Sequence, residues 1–150
     1  AGTRLGAPPP PRPGRSAVPG EGPAPGWRDG GAVVRAVLDA GAGYAGRAFA
    51  ELLRRARPAG VAPPSAPPSA ALLAEAARVH GWIPYAPLPG KCLLRSFLLL
   101  QALRRRGHDA AWVFAVRTWP FRAHCWLQAG DTVLDDHHER LAAYHPILAV

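Results

Sequence analysis

The segment that opens at Cys92 constrains this chain more than any other. From Cys92 to Arg106 the spacing is helical, and Leu93, Leu94, Phe97, Leu98, Leu99, Leu100, Ala102 and Leu103 surround the axis on nearly all sides. A helix that is apolar all round must lie inside the domain, with other elements packed about it. Only its tail, Arg104–Arg106, is expected to reach water, and Gly107 is the expected C-terminal stop.

After that helix the period changes. Ala111 to Val116, rich in Trp, Val and Phe, reads as a buried strand, and Thr118–Phe121 as a connecting loop. Ala123 to Gln128 reads as a second strand, Ala129–Asp131 as a turn, and Thr132 to Leu134 as the hairpin partner. Pro146 to Val150 reads as a last strand. Helices first and then antiparallel strands give an α+β fold, with the Cys92 helix at its centre.

Upstream, residues 31–40 and 44–57 carry helical spacing, with Gly41 and Gly43 placed to break or kink the pair. Arg54, Arg55 and Arg57 fall in the last turn, where cations suit the helix dipole. Residues 58–68 form a Pro/Ala linker. Ser69 is a natural N-cap for a helix with Leu72, Leu73, Ala76 and Val79 on one face, ended by Gly81. The 18 Pro and 16 Gly crowd the first third of the 150 residues. Residues 1–30 offer too little apolar area to offset ordering entropy and are expected to be a disordered Pro/Gly/Arg-rich tail. The folded domain is expected over 31–150.

The net charge is +8 and the basic residues are Arg apart from Lys91, which favours acidic partners without naming one. No helix-turn-helix or RNA-binding aromatic pattern accompanies the arginines, so nucleic acid is not expected as a partner. Two Cys cannot build a disulfide framework and suit a reducing compartment. No apolar run approaches the roughly 20 residues that span a bilayer, and residues 1–30 lack the apolar core of a secretory signal. A cytoplasmic protein is the expectation. His124, Cys125, His137, His138 and Glu139 lie close together, but no zinc-ligand spacing is present. No metal and no cofactor are expected.

The chemistry-bearing residues come in a telling order. Cys92 sits in the first turn of its helix, where free amides and the dipole stabilise a thiolate. His124 follows in a strand, and Asp135 and Asp136 close the next strand-like run. A thiolate, a base to share its proton and an acid to orient the base are the parts of nucleophilic thiol catalysis. Each residue alone has a plainer reading: a small core thiol, a satisfied core histidine, a solvated acid pair. Strand alternation puts His124 and Trp126 on one face and Cys125 and Leu127 on the other, so Cys125 is expected to pack, turned away from the site.

The runs Cys92-Leu-x-Arg95-Ser96, Arg104-Arg-Arg-Gly107, Val116-Arg-Thr-x-Pro-Phe-Arg-Ala-His124-x-Trp126 and Tyr144-x-Pro-Ile-Leu-Ala-Val150 resemble the lasso-peptide leader peptidases. That family is a transglutaminase-like, papain-related group of cysteine proteases. The resemblance covers about residues 69–150, and more weakly the helices from 31. It implies a Cys92 nucleophile, a His124 base and Asp136 as third member, leaving Asp135 as the solvated acid of the pair. It also implies a precursor-peptide substrate, a leader-recognition protein acting in trans, because residues 1–30 show no recognition strands, and an asparagine-synthetase-like lasso cyclase that uses the product. Two positions depart from the family pattern: Cys125 replaces an Ala after the His, and Gln128 replaces a Glu. Acyl transfer to an amine, as in transglutaminases, and a catalytically silent scaffold module are the rival readings.

Overall fold

The computed structural model describes residues 12–17, 48–56, 62–82 and 92–150, with isolated positions between 31 and 46. Among these residues the elements are β1 (Arg15–Ser16), α1 (Phe49–Ala56), α2 (Ala70–Trp82), α3 (Cys92–Arg105), β2 (Ala111–Arg117), β3 (Arg122–Ala129), β4 (Thr132–Val133), α4 (His138–Leu141) and β5 (His145–Ala149). The strands make one sheet in the order β1-β4-β3-β2-β5. Every pairing is antiparallel except β1 with β4. The α+β architecture expected from the sequence is therefore present, with the Cys-bearing helix laid on the sheet.

Helix α3 is the buried axis. Of its residues, Leu94 and then Ser96 to Leu100 are buried without a break, followed by Ala102 and Leu103. Its end is set by Gly107, at φ 79°. The His108 amide donates to the Leu103 carbonyl and the Gly107 amide to the Arg104 carbonyl, each at 3.0 Å. That paired closure is the Schellman arrangement, which satisfies carbonyls the helix would leave orphaned. Helix α2 begins where Ser69 Oγ accepts the Leu72 amide at 3.1 Å. Its buried stripe is Leu72, Ala76 and Val79, spaced by four and three residues as one helix face requires. The helix runs through Gly81 to Trp82, so Gly81 does not end it. Leu52 and Ala56 are the buried positions of α1, and Glu51 pairs with Arg54 and Arg55 on the exposed side.

The interior strand β2, between β3 and β5, is buried on both faces from Ala111 to Ala115. Trp112 and Phe114 join the helices' core, which also takes Cys125 and Leu127 of β3. Val113 and Ala115 join a second, smaller cluster on the opposite face, with Trp126, Val133 and Leu141. Such two-sided burial explains why β2 reads as a continuous apolar run rather than an alternating one.

Two further expectations are amended. Residues 12–17 are not a disordered tail: Gly14 and Arg15 donate to the Asp131 carbonyl and Ala17 to the Val133 carbonyl. Ser16 Oγ also accepts the His138 amide at 2.7 Å. Backbone pairing to β4 supplies the order that side-chain burial does not. The rest of 1–30 lies outside the described residues, as do 83–91. Gly41 sits in helical backbone, Gly43 lies outside the described residues, and Gly46 has φ 68° before α1. No helix among the described residues is long and apolar enough to cross a membrane.

The turn between β3 and β4 generates a test. Gly130 has φ 56°, and a Cβ there would meet the Pro67 backbone at 3.1 Å. Gly107 has a similar φ, with nothing within 4 Å of such a Cβ. Gly107→Ala should therefore cost only the left-handed strain, about 1–2 kcal/mol. Gly130→Ala should cost more than that, because backbone rather than a side-chain tip must move. Urea unfolding of both variants measures the difference, and equal losses would mean that the Pro67 segment is not pressed on the turn.

Candidate active site

Cys92 opens α3 and His124 lies near the start of β3, so the site forms where the helix N-terminus crosses the strand. His124 Nε2 is 2.7 Å from Asp136 Oδ2. The Asp136 carboxylate also accepts the His137 amide on Oδ1 at 2.8 Å. Arg95 Nη2 stands 3.7 Å from its Oδ2. With Nε2 engaged by Asp136, the other ring nitrogen of His124 is free to serve the Cys92 thiol, which shares the same cavity wall. The rings of Tyr144 and Trp126 flank the imidazole, with centroids at 5.6 and 6.2 Å. The sequence-expected trio of Cys92, His124 and Asp136 is thus brought together in one row.

The electrostatics follow from those contacts. Hydrogen bonds from the Cys125 thiol and from His124 hold the Cys92 thiol down at about 4, against the opposing effect of burial. The Asp136 carboxylate and the Cys92 sulfur raise His124 to about 9. Burial pushes the Asp136 carboxyl up, but its bonds to His124 and the His137 amide outweigh this, and its pKa is lowered. Between those limits the pair is a thiolate and an imidazolium, the form in which a cysteine is a nucleophile at neutral pH.

Cys125 needs a correction in part. It is buried in the helix-side core, opposite Trp126, as strand alternation requires. Yet its thiol reaches the Cys92 thiol and is the first cause of that thiol's acidity. Its own proton is held all the more firmly, by the same bond and by burial. Cys125 therefore packs in the core and also bears on the acidity of Cys92. No periodicity could show this, because alternation reports the face of a strand and not what crosses over it.

Asp135 departs further from expectation. It is only 3 % exposed, not a solvated acid. Oδ2 accepts from Ser96 Oγ of α3 at 2.5 Å, and Oδ1 accepts the Leu127 amide of β3 at 2.8 Å. Burial raises its carboxyl to about 6 despite these bonds. Gln128 is equally structural: Oε1 accepts from Trp126 Nε1 at 3.0 Å and Nε2 donates to the Gly130 carbonyl at 2.7 Å. Arg95 was legible as a motif residue but not as a partner of Asp136. The signal was its position three residues after Cys92, which puts both on one helix face.

A cavity of about 410 Å³ opens beside the row, with Cys92, His124 and Asp136 in its wall. Tyr144, Leu141 and a set of arginines complete it. Among the described residues no three His, Cys, Asp or Glu side chains converge to hold a metal ion.

The profile of the Transglutaminase-like superfamily matches residues 34–149. The chain belongs to the transglutaminase-like superfamily. Within it, the chain is 42 % identical over 45 residues to the microcin J25-processing protein McjB of Escherichia coli. That match covers 30 % of this chain and 22 % of McjB, so it spans about a fifth of that relative's length. Both findings accord with the resemblance to the lasso-peptide leader peptidases. No solved structure matches this transglutaminase-like chain.

Two tests follow. Iodoacetamide should alkylate Cys92 with a rate that is flat from about pH 5 to 8 and falls below about pH 4. Cys125→Ala and His124→Ala should each move that fall upward, since each removes a hydrogen bond to the thiolate. A midpoint near 8.5 in the unaltered protein, as for a free cysteine, would contradict the pair. The second test concerns Asp135. Its folded pKa exceeds its unfolded one, so its contribution is fully present below about pH 4 and is lost as pH rises through about 6. The stability of the wild type relative to Asp135→Asn should therefore fall by on the order of 2 kcal/mol between pH 4 and 7. Urea titrations across that range read it directly.

Proposed function

We propose that this transglutaminase-like chain is a cysteine peptidase that removes the leader from a lasso-peptide precursor. The observation that carries the reading is the row of Cys92, His124 and Asp136 facing an open cavity. The partial likeness to a protein named for microcin J25 processing points the same way.

The Cys92 thiolate attacks the scissile carbonyl carbon, and electron density moves to the carbonyl oxygen. The helix N-terminus, with its free amides, is suited to that oxyanion. His124 then gives its proton to the departing amine as the acyl–sulfur bond stays and the peptide bond breaks. Water, deprotonated by the now neutral imidazole, attacks the thioester and releases the acid, restoring the thiolate–imidazolium pair. Asp136 keeps Nε2 of the ring protonated and its plane fixed. Asp135 is not part of this sequence of steps. It holds the backbone that presents Asp136.

The reading includes a leader-recognition protein acting in trans, an asparagine-synthetase-like cyclase as the next enzyme, and work in the cytoplasm, where thiols stay reduced. The experiment is incubation with a precursor peptide and a recognition protein from the gene neighbourhood, followed by mass analysis. Free leader and core are expected. Cys92→Ala should abolish cleavage with the fold retained. Asp136→Asn should lower turnover by about 10²–10⁴, since it keeps the shape but loses the charge behind the imidazolium. A product carrying a new amide bond with no water added would favour acyl transfer. An unaltered precursor, with Cys92 still reactive towards iodoacetamide, would sink the assignment of substrate.

A further inference from the structure

The cavity beside Cys92 has an excess of positive charge that the chemistry above does not use. Arg95, Arg117, Arg122 and Arg140 all line it, facing the single carboxylate of Asp136. The Cys92 thiolate and the His124 imidazolium cancel each other. Arg95 and Arg140 share Asp136, at 3.7 and 3.8 Å. Arg117 and Arg122 have no carboxylate partner among the described residues.

Arg117 is half-buried and Arg122 is exposed. They are Cα partners across the end of the β2–β3 ladder. Like charges directly opposite in an antiparallel pair repel. Arg117 Nε is buried with no hydrogen-bond partner, while its guanidinium lies over the Tyr144 ring at 5.7 Å. A buried donor left unmade carries the full desolvation penalty of the group. Alternation sets Arg122 and His124 on the same face of β3, and Arg117 opposes Arg122 on that face. Both arginines therefore lie on the imidazole's face of the hairpin, two strand positions beyond His124, and line the same cavity as Cys92. That distance is about 7 Å, the reach of about two residues of an extended peptide.

We propose that Arg117 and Arg122 form a carboxylate subsite that seats an Asp or Glu side chain of the substrate, about two residues from the bond that Cys92 attacks. Paired guanidiniums meet a carboxylate through parallel, charge-assisted hydrogen bonds, and a bound carboxylate relieves their mutual repulsion. The Tyr144 ring holds Arg117 in place, so less order is lost when the anion arrives. The subsite rests on the peptidase reading for the nature of its ligand, but its charge preference can be measured without the precursor.

The test uses two isosteric electrophiles that differ only in the carboxylate, chloroacetyl-Glu-amide and chloroacetyl-Gln-amide. Each loses chloride to the Cys92 thiolate and carries its side chain to the reach just described. The Glu reagent should react about ten- to a hundredfold faster, the span expected of a charge-assisted pair. In Arg117→Gln/Arg122→Gln the ratio should fall to near one, and any general change in Cys92 reactivity cancels in that ratio because it acts on both reagents alike. A ratio near one in the unaltered protein, or a ratio that survives in the double variant, overturns the subsite. Precursors with acidic residues near the cleaved bond changed singly to Asn or Gln supply the second arm. One such change should raise KM in the unaltered enzyme and have little effect in the double variant. If no precursor is cleaved, the peptidase reading fails while the reagent ratio still decides the subsite. If every precursor variant is cleaved alike, the subsite fails and the peptidase reading stands.

Discussion

The site depends on one buried carboxylate that stands outside the row of Cys92, His124 and Asp136. Asp135 receives Ser96 Oγ from α3 and the Leu127 amide from β3, so it fastens the helix to the strand. Each partner sits close in sequence to a working residue. Ser96 is one helical turn beyond Cys92, Leu127 is three residues beyond His124, and Asp135 itself precedes Asp136. The fastening therefore sets where Cys92 stands relative to His124 and to Asp136. A buried charge of this kind is expensive, as the raised pKa of Asp135 shows. What it provides is register between a helix and a sheet, which apolar packing fixes only loosely.

Two acids in succession divide the labour by direction. Asp135 turns into the core and Asp136 turns to His124. The polypeptide thus supplies structural rigidity and chemical polarisation from adjacent positions, and a one-residue slip of this segment would exchange them. The hydrogen bond from the Leu134 amide to the Leu127 carbonyl, at 2.9 Å, carries the β3–β4 ladder one step past β4 and guards against that slip.

How much of this was legible depended on the size of the signal. The Cys92 helix and the apolar strand of Ala111–Ala115 announce themselves because burial on nearly all sides leaves a dense apolar run. The Ser69 cap and the Gly107 stop are local chemistry and read directly. Strand β1 could not be read, since Arg15 and Ser16 are held by backbone bonds to β4 and carry no apolar pattern. The burial of Asp135 was equally hidden, because an acid near a strand end looks the same in sequence whether it faces water or a serine on a distant helix. Cys125 was half legible: its face followed from alternation, while its bond to Cys92 depended on how the helix crosses the strand.

The two ends of the β2–β3–β4 meander differ in their freedom. At one end Gly130 is hemmed in by the Pro67 backbone, and Gln128 ties down its carbonyl. At the other, residues 118–121 stand in solvent, with Trp119 88 % and Phe121 73 % exposed. Changes in chain length are therefore tolerable at the second turn and not at the first. Because the tolerant turn adjoins the arginine pair, a change in its length would reshape that end of the cavity without disturbing the contacts that join His124 to Asp136.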